Sequence, residues 1–332
     1  MPELPEVEVV RAGLVPFATG STVARVEVLD ERSLRRHPGP AEDFIDRLTG
    51  AVFAAPSRRG KFLWLPLLSP PPPLSPPLAT QMKARGATVP ATSEPGSAAD
   101  AGLPSFGPAA EGLVVHLGMS GQVLLRPPKT DDARTRIRID LEHPERGAVR
   151  LNFVDQRIFG SMAIDDLVPV SDLPADVARE HVPASVAHIA RDPLDPRFDD
   201  AQFLAALRKK RTGVKRALLD QTLVSGIGNI YADEALWASR IHYAQPTDAL
   251  SRPRATLLLA EVRSVLAKAL AEGGTSFDTQ YLNVNGESGY FSHSLNAYGQ
   301  QGTPCPRCGR PIVREQFMNR GSHFCSHCQR LR

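Results

Sequence analysis

All four cysteines of this 332-residue chain fall in its last 28 residues. They are Cys305, Cys308, Cys325 and Cys328, spaced C-x2-C-x16-C-x2-C. Two such knuckles offer four thiolates to one tetrahedral ion, which is the ligand set of a closed structural zinc site. Two disulfides, or a redox dithiol, would use the same residues. The chain opens on the acidic Met1-Pro2-Glu3-Leu4-Pro5-Glu6 and lacks a basic region followed by an apolar one. That reads as no secretory signal and a cytoplasmic location, where disulfides are rare. A redox motif needs only one pair, and here there are two. The pattern therefore predicts one structural Zn2+ and no organic cofactor. With sulfur in all four positions no site is left open for catalysis. His323 and His327 stand beside the ligands and are not counted among them. A segment this short cannot fold on its own core, so a zinc-stapled hairpin is expected over 293–332. Between the knuckles lie Arg314, Asn319, Arg320 and Gly321, an arginine beside glycine at a hairpin tip, suited to reaching a phosphate.

The remaining chain is 42% hydrophobic, enough for an ordinary core. No apolar run approaches the roughly 18 residues that span a bilayer, so no membrane partner is expected. Val7, Val10, Leu14 and Phe17 stand at helical spacing over 6–17. Residues 41–48 read as a second short helix. Strand-like runs follow at 51–57, 61–67, 112–117, 122–126, 135–141 and 148–154, after a first at Val23, Val26 and Val28. Such a series reads as a β-sandwich or barrel. Residues 66–111 interrupt it with 11 of the chain's 30 prolines, and are expected to be a disordered or extended insertion between two paired strands. Beyond Asp165 the periodicity becomes helical, with helices predicted at 201–211, 214–221, 229–239 and 254–272. The segment 275–290, rich in Gly, Asn and Ser, reads as a flexible loop. The fold class expected is therefore α+β and multidomain: a β-sandwich lobe over 1–165, a helical lobe over 166–292, and the zinc hairpin.

Charge is unevenly placed. From Phe203 onward there are 17 Lys and Arg against 9 Asp and Glu, in a chain of net charge +3. A basic C-terminal half suits a polyanion, and double-stranded DNA is the obvious one. The turn Ser225-Gly226-Ile227-Gly228-Asn229 joins two of the predicted helices. Its glycines bring backbone N–H groups close to an anion at a helix N-terminus. Arg208, Lys209, Lys210, Arg211, Lys215 and Arg216 stand just upstream. At the other end, initiator methionine is normally trimmed before a small residue, which makes Pro2 a terminal secondary amine. Such an amine titrates near 8, so a neutral, nucleophilic fraction exists at cellular pH. Glu3 and Glu6 lie within one helical turn of it. Proline and glutamate are also common at helix starts for structural reasons alone.

Taken together, these motifs resemble the formamidopyrimidine-DNA glycosylase family. The resemblance rests on Met1-Pro2-Glu3-Leu4-Pro5-Glu6-Val7-Glu8, on Val115-His116-Leu117-Gly118-Met119-Ser120-Gly121, on Gly226-Ile227-Gly228-Asn229-Ile230-Tyr231-Ala232-Asp233-Glu234, and on the cysteine unit. It covers nearly the whole chain outside 66–111. It implies a monomeric, bifunctional glycosylase and lyase with a helix–two-turns–helix domain, acting on duplex DNA that carries an oxidised base. By resemblance Pro2 is the nucleophile and Glu3 the general acid. Lys61 matches the lysine of the first elimination and Arg320 the arginine of the second. Met119, Arg157 and Phe159 match the residues that fill the hole left by a flipped base, with Arg157 facing the orphaned cytosine. Glu6, His116, Arg134, Lys209, Lys215 and Asn229 lie at or near positions that contact DNA or lesion in relatives.

Two departures are visible. Ile158 stands where many relatives carry a basic residue, and the proline-rich insertion has no counterpart. An endonuclease VIII-like enzyme for oxidised pyrimidines shares the same architecture. So would a non-catalytic DNA binder on this scaffold, though intact Pro2, Glu3 and Lys61 argue against it. A zinc-ribbon protein of transcription would leave the first two hundred residues unexplained.

Overall fold

The structure is a computed structural model that describes residues 2–68, 109–170, 172, 180–275, 284 and 289–332. The chain begins with helix α1 (Leu4–Ala18), whose buried stripe of Leu4, Val7, Val10, Leu14 and Ala18 follows helical spacing. Strand β1 (Thr22–Val28) and helix α2 (Ala41–Leu48) follow. The run expected at 51–57 is broken at Pro56 into β2 (Val52–Phe53) and β3 (Ser57–Arg59), since proline has no N–H for a ladder. Then come β4 (Phe62–Leu68), β5 (Glu111–His116), β6 (Gly121–Arg126), β7 (Thr135–His143) and β8 (Gly147–Asp155).

Two further strands went unforeseen, β9 (Ser161–Pro169) and β10 (His181–Pro183). The strand pattern thus runs past Asp165, where helix was expected to begin. The ten strands form one path, β10-β9-β5-β4-β2-β1-β7-β8-β6, with β3 on β4. Among the described residues, only the two of β2 join its two halves. Inward side chains of both halves share one core, Leu63, Leu113, Val115 and Ile164 from one and Val23, Ile137, Leu151 and Phe153 from the other. The sheet is therefore folded onto itself as a sandwich. Strands β4 and β5 pair directly, Leu67 opposite Glu111, so the flanks of the proline-rich insertion meet as expected. Its residues 69–108 lie outside the described residues, as do 276–283 and 285–288 of the segment read as a flexible loop.

The second lobe holds α3 (Asp200–Lys209), α4 (Val214–Leu218), α5 (Asn229–Ala238) and α6 (Arg252–Ala271). Its core includes Phe203, Val214, Leu218, Ile227, Tyr231, Leu258 and Val262, and also Leu4 from α1. Conversely, Val284, beyond α6, is buried in the sandwich core, and its carbonyl accepts from Leu125 N–H at 2.9 Å. The chain closes with the hairpin β11 (Val313–Phe317) and β12 (Arg320–Phe324). Among the described residues no helix is long and apolar enough to cross a membrane.

Candidate active site and nucleic-acid interface

The first residues of the chain are plugged into the helical lobe. Leu4 N–H donates to Gly226 O at 2.9 Å. Glu3, 3% exposed, lays its carboxylate on the N-terminus of α5. Its Oε2 accepts from Gly228 N–H at 2.7 Å and its Oε1 from Ile230 N–H at 3.0 Å. A helix N-terminus has unpaired N–H groups and a partial positive charge, so it holds an anion well. Gly228 is required here, because a Cβ would lie 2.2 Å from Glu3 Cδ. Glu6 completes a capping box on α1, accepting Glu3 N–H at 2.8 Å, and also accepts Tyr231 Oη–H at 2.6 Å and Thr275 N–H at 2.7 Å. Burial raises the pKa of Glu3, opposed by Lys61, with Glu6 adding to the rise.

Pro2 faces a cleft of about 680 Å³ between the lobes, with Lys61, His116 and Arg320 also on its walls. Lys61 occupies the tip of the β3–β4 hairpin after Gly60. Burial lowers its pKa, Glu3 and Glu6 oppose the drop, and Arg320 adds to it. Arg320 opens β12, so it enters the cleft from the zinc hairpin. His116 ends β5, and its Nδ1 accepts Gly118 N–H at 3.1 Å. Burial, with Arg36 and Arg35 nearby, takes its pKa down to about 4, so the ring is neutral at cellular pH. Sequence reasoning missed further walls of the cleft: Phe62, Lys210, Thr212, Arg216, Gln221 and Met318. Arg216 and Lys210 belong to the basic run it noted, and the others carry no motif signal.

Two loops leave the sandwich side by side. Strands β5 and β9 pair out to His116 opposite Ser161, and β6 and β8 out to Gly121 opposite Asp155. The turns 117–120 and 156–160 therefore emerge at one edge. Met119 on the first is 43% exposed and Phe159 on the second 39%, although both are large and apolar. The Arg157 guanidinium stacks 4.6 Å from the Phe159 ring centroid. Gly118, at φ +61°, touches the second loop so closely that a Cβ would lie 2.3 Å from Phe159 O. Asp155 holds that loop, accepting from the N–H groups of Arg157 at 3.0 Å, Ile158 at 2.9 Å and Gly160 at 2.6 Å. Arg134, exposed and at φ +67°, lies alongside, its carbonyl accepting Asp155 N–H.

The basic residues of the helical lobe divide. Lys209 is exposed at the end of α3. Asn229 donates to Gly321 O at 3.1 Å and so ties α5 to the hairpin. Lys215 departs from the expectation of a DNA contact. It is wholly buried, paired with Asp233 at 2.6 Å, and donates to Gly321 O and Ser322 Oγ. Three acceptors match its three N–H donors, and no face is left for a phosphate. Asp233 also accepts from His323 N–H at 2.9 Å. The residues just after Arg320 are thus bolted to α4 and α5.

The four cysteine sulfurs lie within 4.8 Å of one another, close to the sulfur spacing that bonds of about 2.3 Å to one tetrahedral zinc demand. Trp237 Nε1–H points at Cys305 Sγ, and Arg307 caps the last carbonyls of α5 while stacking 4.2 Å over the Trp237 ring. The donor set and its surroundings fit one structural zinc, held by Cys305, Cys308, Cys325 and Cys328.

Comparison with known proteins covers the same three parts. The family models described as "Formamidopyrimidine-DNA glycosylase N-terminal domain", "Formamidopyrimidine-DNA glycosylase H2TH domain" and "Zinc finger found in FPG and IleRS" match residues 1–162, 189–281 and 302–331. The formamidopyrimidine-DNA glycosylase of Leifsonia xyli is 57% identical, with all of both chains covered. That of Streptomyces avermitilis is 49% identical over 99% of this chain and 98% of its own. Among solved structures, the MutM (FPG) protein of Thermus thermophilus aligns at a TM-score of 0.72 and 30% identity, over 99% of each chain. The Lactococcus lactis Fpg bound to DNA containing N7-benzyl-Fapy-dG aligns at 0.72 and 26% identity, over 99% of this chain and 100% of its own.

Proposed function

The chain belongs to the formamidopyrimidine-DNA glycosylase family, and from that premise we propose that it excises oxidised purines from DNA through a Schiff base on Pro2. It is a base-excision-repair DNA glycosylase with one structural zinc and duplex DNA as partner. One observation carries the mechanistic reading. Pro2, a secondary amine once Met1 is removed, lines the interlobe cleft together with Lys61 and Arg320, next to the buried carboxyl of Glu3.

Once Met1 is removed, the neutral Pro2 nitrogen attacks C1′ of the damaged nucleotide. The bond from C1′ to the base breaks, and the base leaves with a proton. Glu3 protonates the ring oxygen as the sugar opens, and an iminium forms between Pro2 nitrogen and C1′. Removal of a C2′ proton then expels the 3′ phosphate, the step assigned to Lys61, whose lowered pKa suits a base. Elimination of the 5′ phosphate follows, with Arg320 on the phosphate, and a one-nucleotide gap remains. The exposed pair Met119 and Phe159 suits the space of a flipped nucleotide. Arg157 beside them presents two parallel N–H donors, which match the adjacent O2 and N3 acceptors of cytosine. Excision of oxoguanine opposite cytosine is the activity this arrangement favours. His116, Arg134, Lys209 and Asn229 line the reading as DNA contacts or as supports of them. The sandwich lobe, expected to end at 165, extends in this reading through β9 and β10 to Pro183. The helical lobe follows it up to 292 and the zinc hairpin takes 293–332, and a monomer in the cytoplasm, on DNA, suffices for the chemistry.

The test is borohydride trapping on a duplex with oxoguanine opposite cytosine, using wild type and Pro2→Gly. A covalent adduct is expected for wild type and its near-complete loss for the variant. An adduct that survives in the variant removes Pro2 as nucleophile. A duplex with an oxidised pyrimidine belongs in the same series, because one Lactococcus lactis structure holds such DNA.

A further inference from the structure

The loop 156–160 has its backbone polar groups bound from two sides. On one side stands the Asp155 carboxylate. On the other is Arg35, more than 120 residues earlier in the chain. Its Nη1–H groups donate to Ile158 O at 2.7 Å and to Gly160 O at 2.9 Å, and its Nη2–H donates to Phe159 O. One guanidinium thus holds three successive carbonyls. The residue at the centre of this grip, Ile158, has φ +54°. A β-branched side chain is a rare occupant of the left-handed region, and the conformation persists only where its surroundings impose it. Arg35 is itself well placed to impose it. It follows the short turn Glu31–Leu34, whose Leu34 is buried in the sandwich core.

Clamped in this way, the loop displays Arg157 and Phe159 stacked on each other in solvent. We propose that Arg35 is a positioning residue, which fixes the strained backbone of 156–160 so that Phe159 enters the base stack and Arg157 meets the orphaned base. The inference rests on the base-flipping reading above. The fork is essential to it. A lysine presents one compact charge, whereas the guanidinium presents donors in a fixed plane that reaches all three carbonyls at once. With the clamp removed, Ile158 relaxes and Arg157 loses its aim. Selection of cytosine, whose edge offers two adjacent acceptors, over adenine, whose edge offers an acceptor beside a donor, is then the property that suffers.

The experiment uses full-length, zinc-loaded protein as wild type, Arg35→Lys and Arg35→Gln. Single-turnover excision of oxoguanine is measured opposite cytosine and opposite adenine. Borohydride trapping on a preformed abasic site and thermal melting are measured alongside. Arg35 is exposed, and the lysine variant keeps charge and stem, so a folded variant is at hand. Both variants are expected to lose about tenfold of the cytosine preference, with trapping on the abasic site within about twofold of wild type. An unchanged preference overturns the proposal. So does a parallel fall of every activity with the melting temperature, which marks an ordinary structural residue. Wild type that traps on no duplex overturns the glycosylase reading, and this inference with it.

Discussion

Glu3 and Gly228 meet at 2.7 Å, carboxylate oxygen to backbone N–H, across 225 residues of chain. The contact joins the residue next to Pro2 to the first turn of the helix that organises the second lobe. Any side chain at 228 would collide with it.

Gly228→Ala is therefore expected to displace Glu3 without touching the cleft wall. A Cβ would meet the carboxyl carbon at 2.2 Å, and only movement of Glu3 or of the turn relieves that. Misplacement of a catalytic group by about 1 Å costs on the order of 100-fold in rate. Single-turnover excision should fall by about that factor, while DNA affinity measured by anisotropy changes little. Excision at the wild-type rate would show that Glu3 is not the acid.

The protonation of Glu3 gives a second expectation. Burial holds its carboxyl above the usual glutamate value, against the pull of Lys61, with the Glu6 charge adding to the rise. The folded protein therefore keeps a proton that the unfolded chain has already lost. Stability from this group is complete below the unfolded pKa and declines as pH rises through the folded one. Glu3→Gln does not titrate, so its melting temperature should gain on wild type as pH rises through that window. Excision by wild type should show a bell, rising as the Pro2 amine deprotonates and falling as Glu3 ionises. A melting difference between Glu3→Gln and wild type that is independent of pH would contradict the raised pKa.

Lys215 and Asp233 supply the third. Both are wholly buried and paired at 2.6 Å, and burial lowers the lysine pKa against the pull of Asp233. Removing one member strands the other charge in the interior, at a cost of about 3–5 kcal/mol. Lys215→Met should thus lower the melting temperature strongly. Lys215→Met with Asp233→Asn should recover part of the loss. Binding to undamaged duplex should keep its salt dependence, because a lysine on a phosphate contributes about one unit of slope and this one touches none. A slope reduced by about one would return Lys215 to the DNA surface.

These residues also mark how far the sequence can be read. Helix α6 was legible because Leu258, Val262 and Leu266 repeat at the period of the structure they form. The zinc cluster was legible because four ligands sit in two short local motifs. Strand β9 was not, since Asp165 and Asp166 interrupt its apolar alternation and it is held by pairing with β5. Lys215 misled for the opposite reason. A lysine in a basic run reads as a surface charge, and its partner Asp233 lies on the next helix with nothing local to announce the pairing. Arg35 gave no signal at all, because its three acceptors are backbone carbonyls and carry no residue identity.

The two lobes each keep a side chain of the other, Leu4 in the helical core and Val284 in the sandwich core. During synthesis the N-terminus leaves the ribosome first, yet its seat on Gly226, Gly228 and Ile230 does not exist until more than two hundred further residues have emerged. The sandwich cannot close around Val284 until later still. Pro2, the proposed nucleophile, is thus among the first residues made and among the last assembled. On the proposed chemistry, a nascent chain carries the Pro2 amine before Glu3 has its seat on Gly228 and Ile230 and before Arg320 has been made, so reactivity toward DNA waits for the helical lobe and the hairpin.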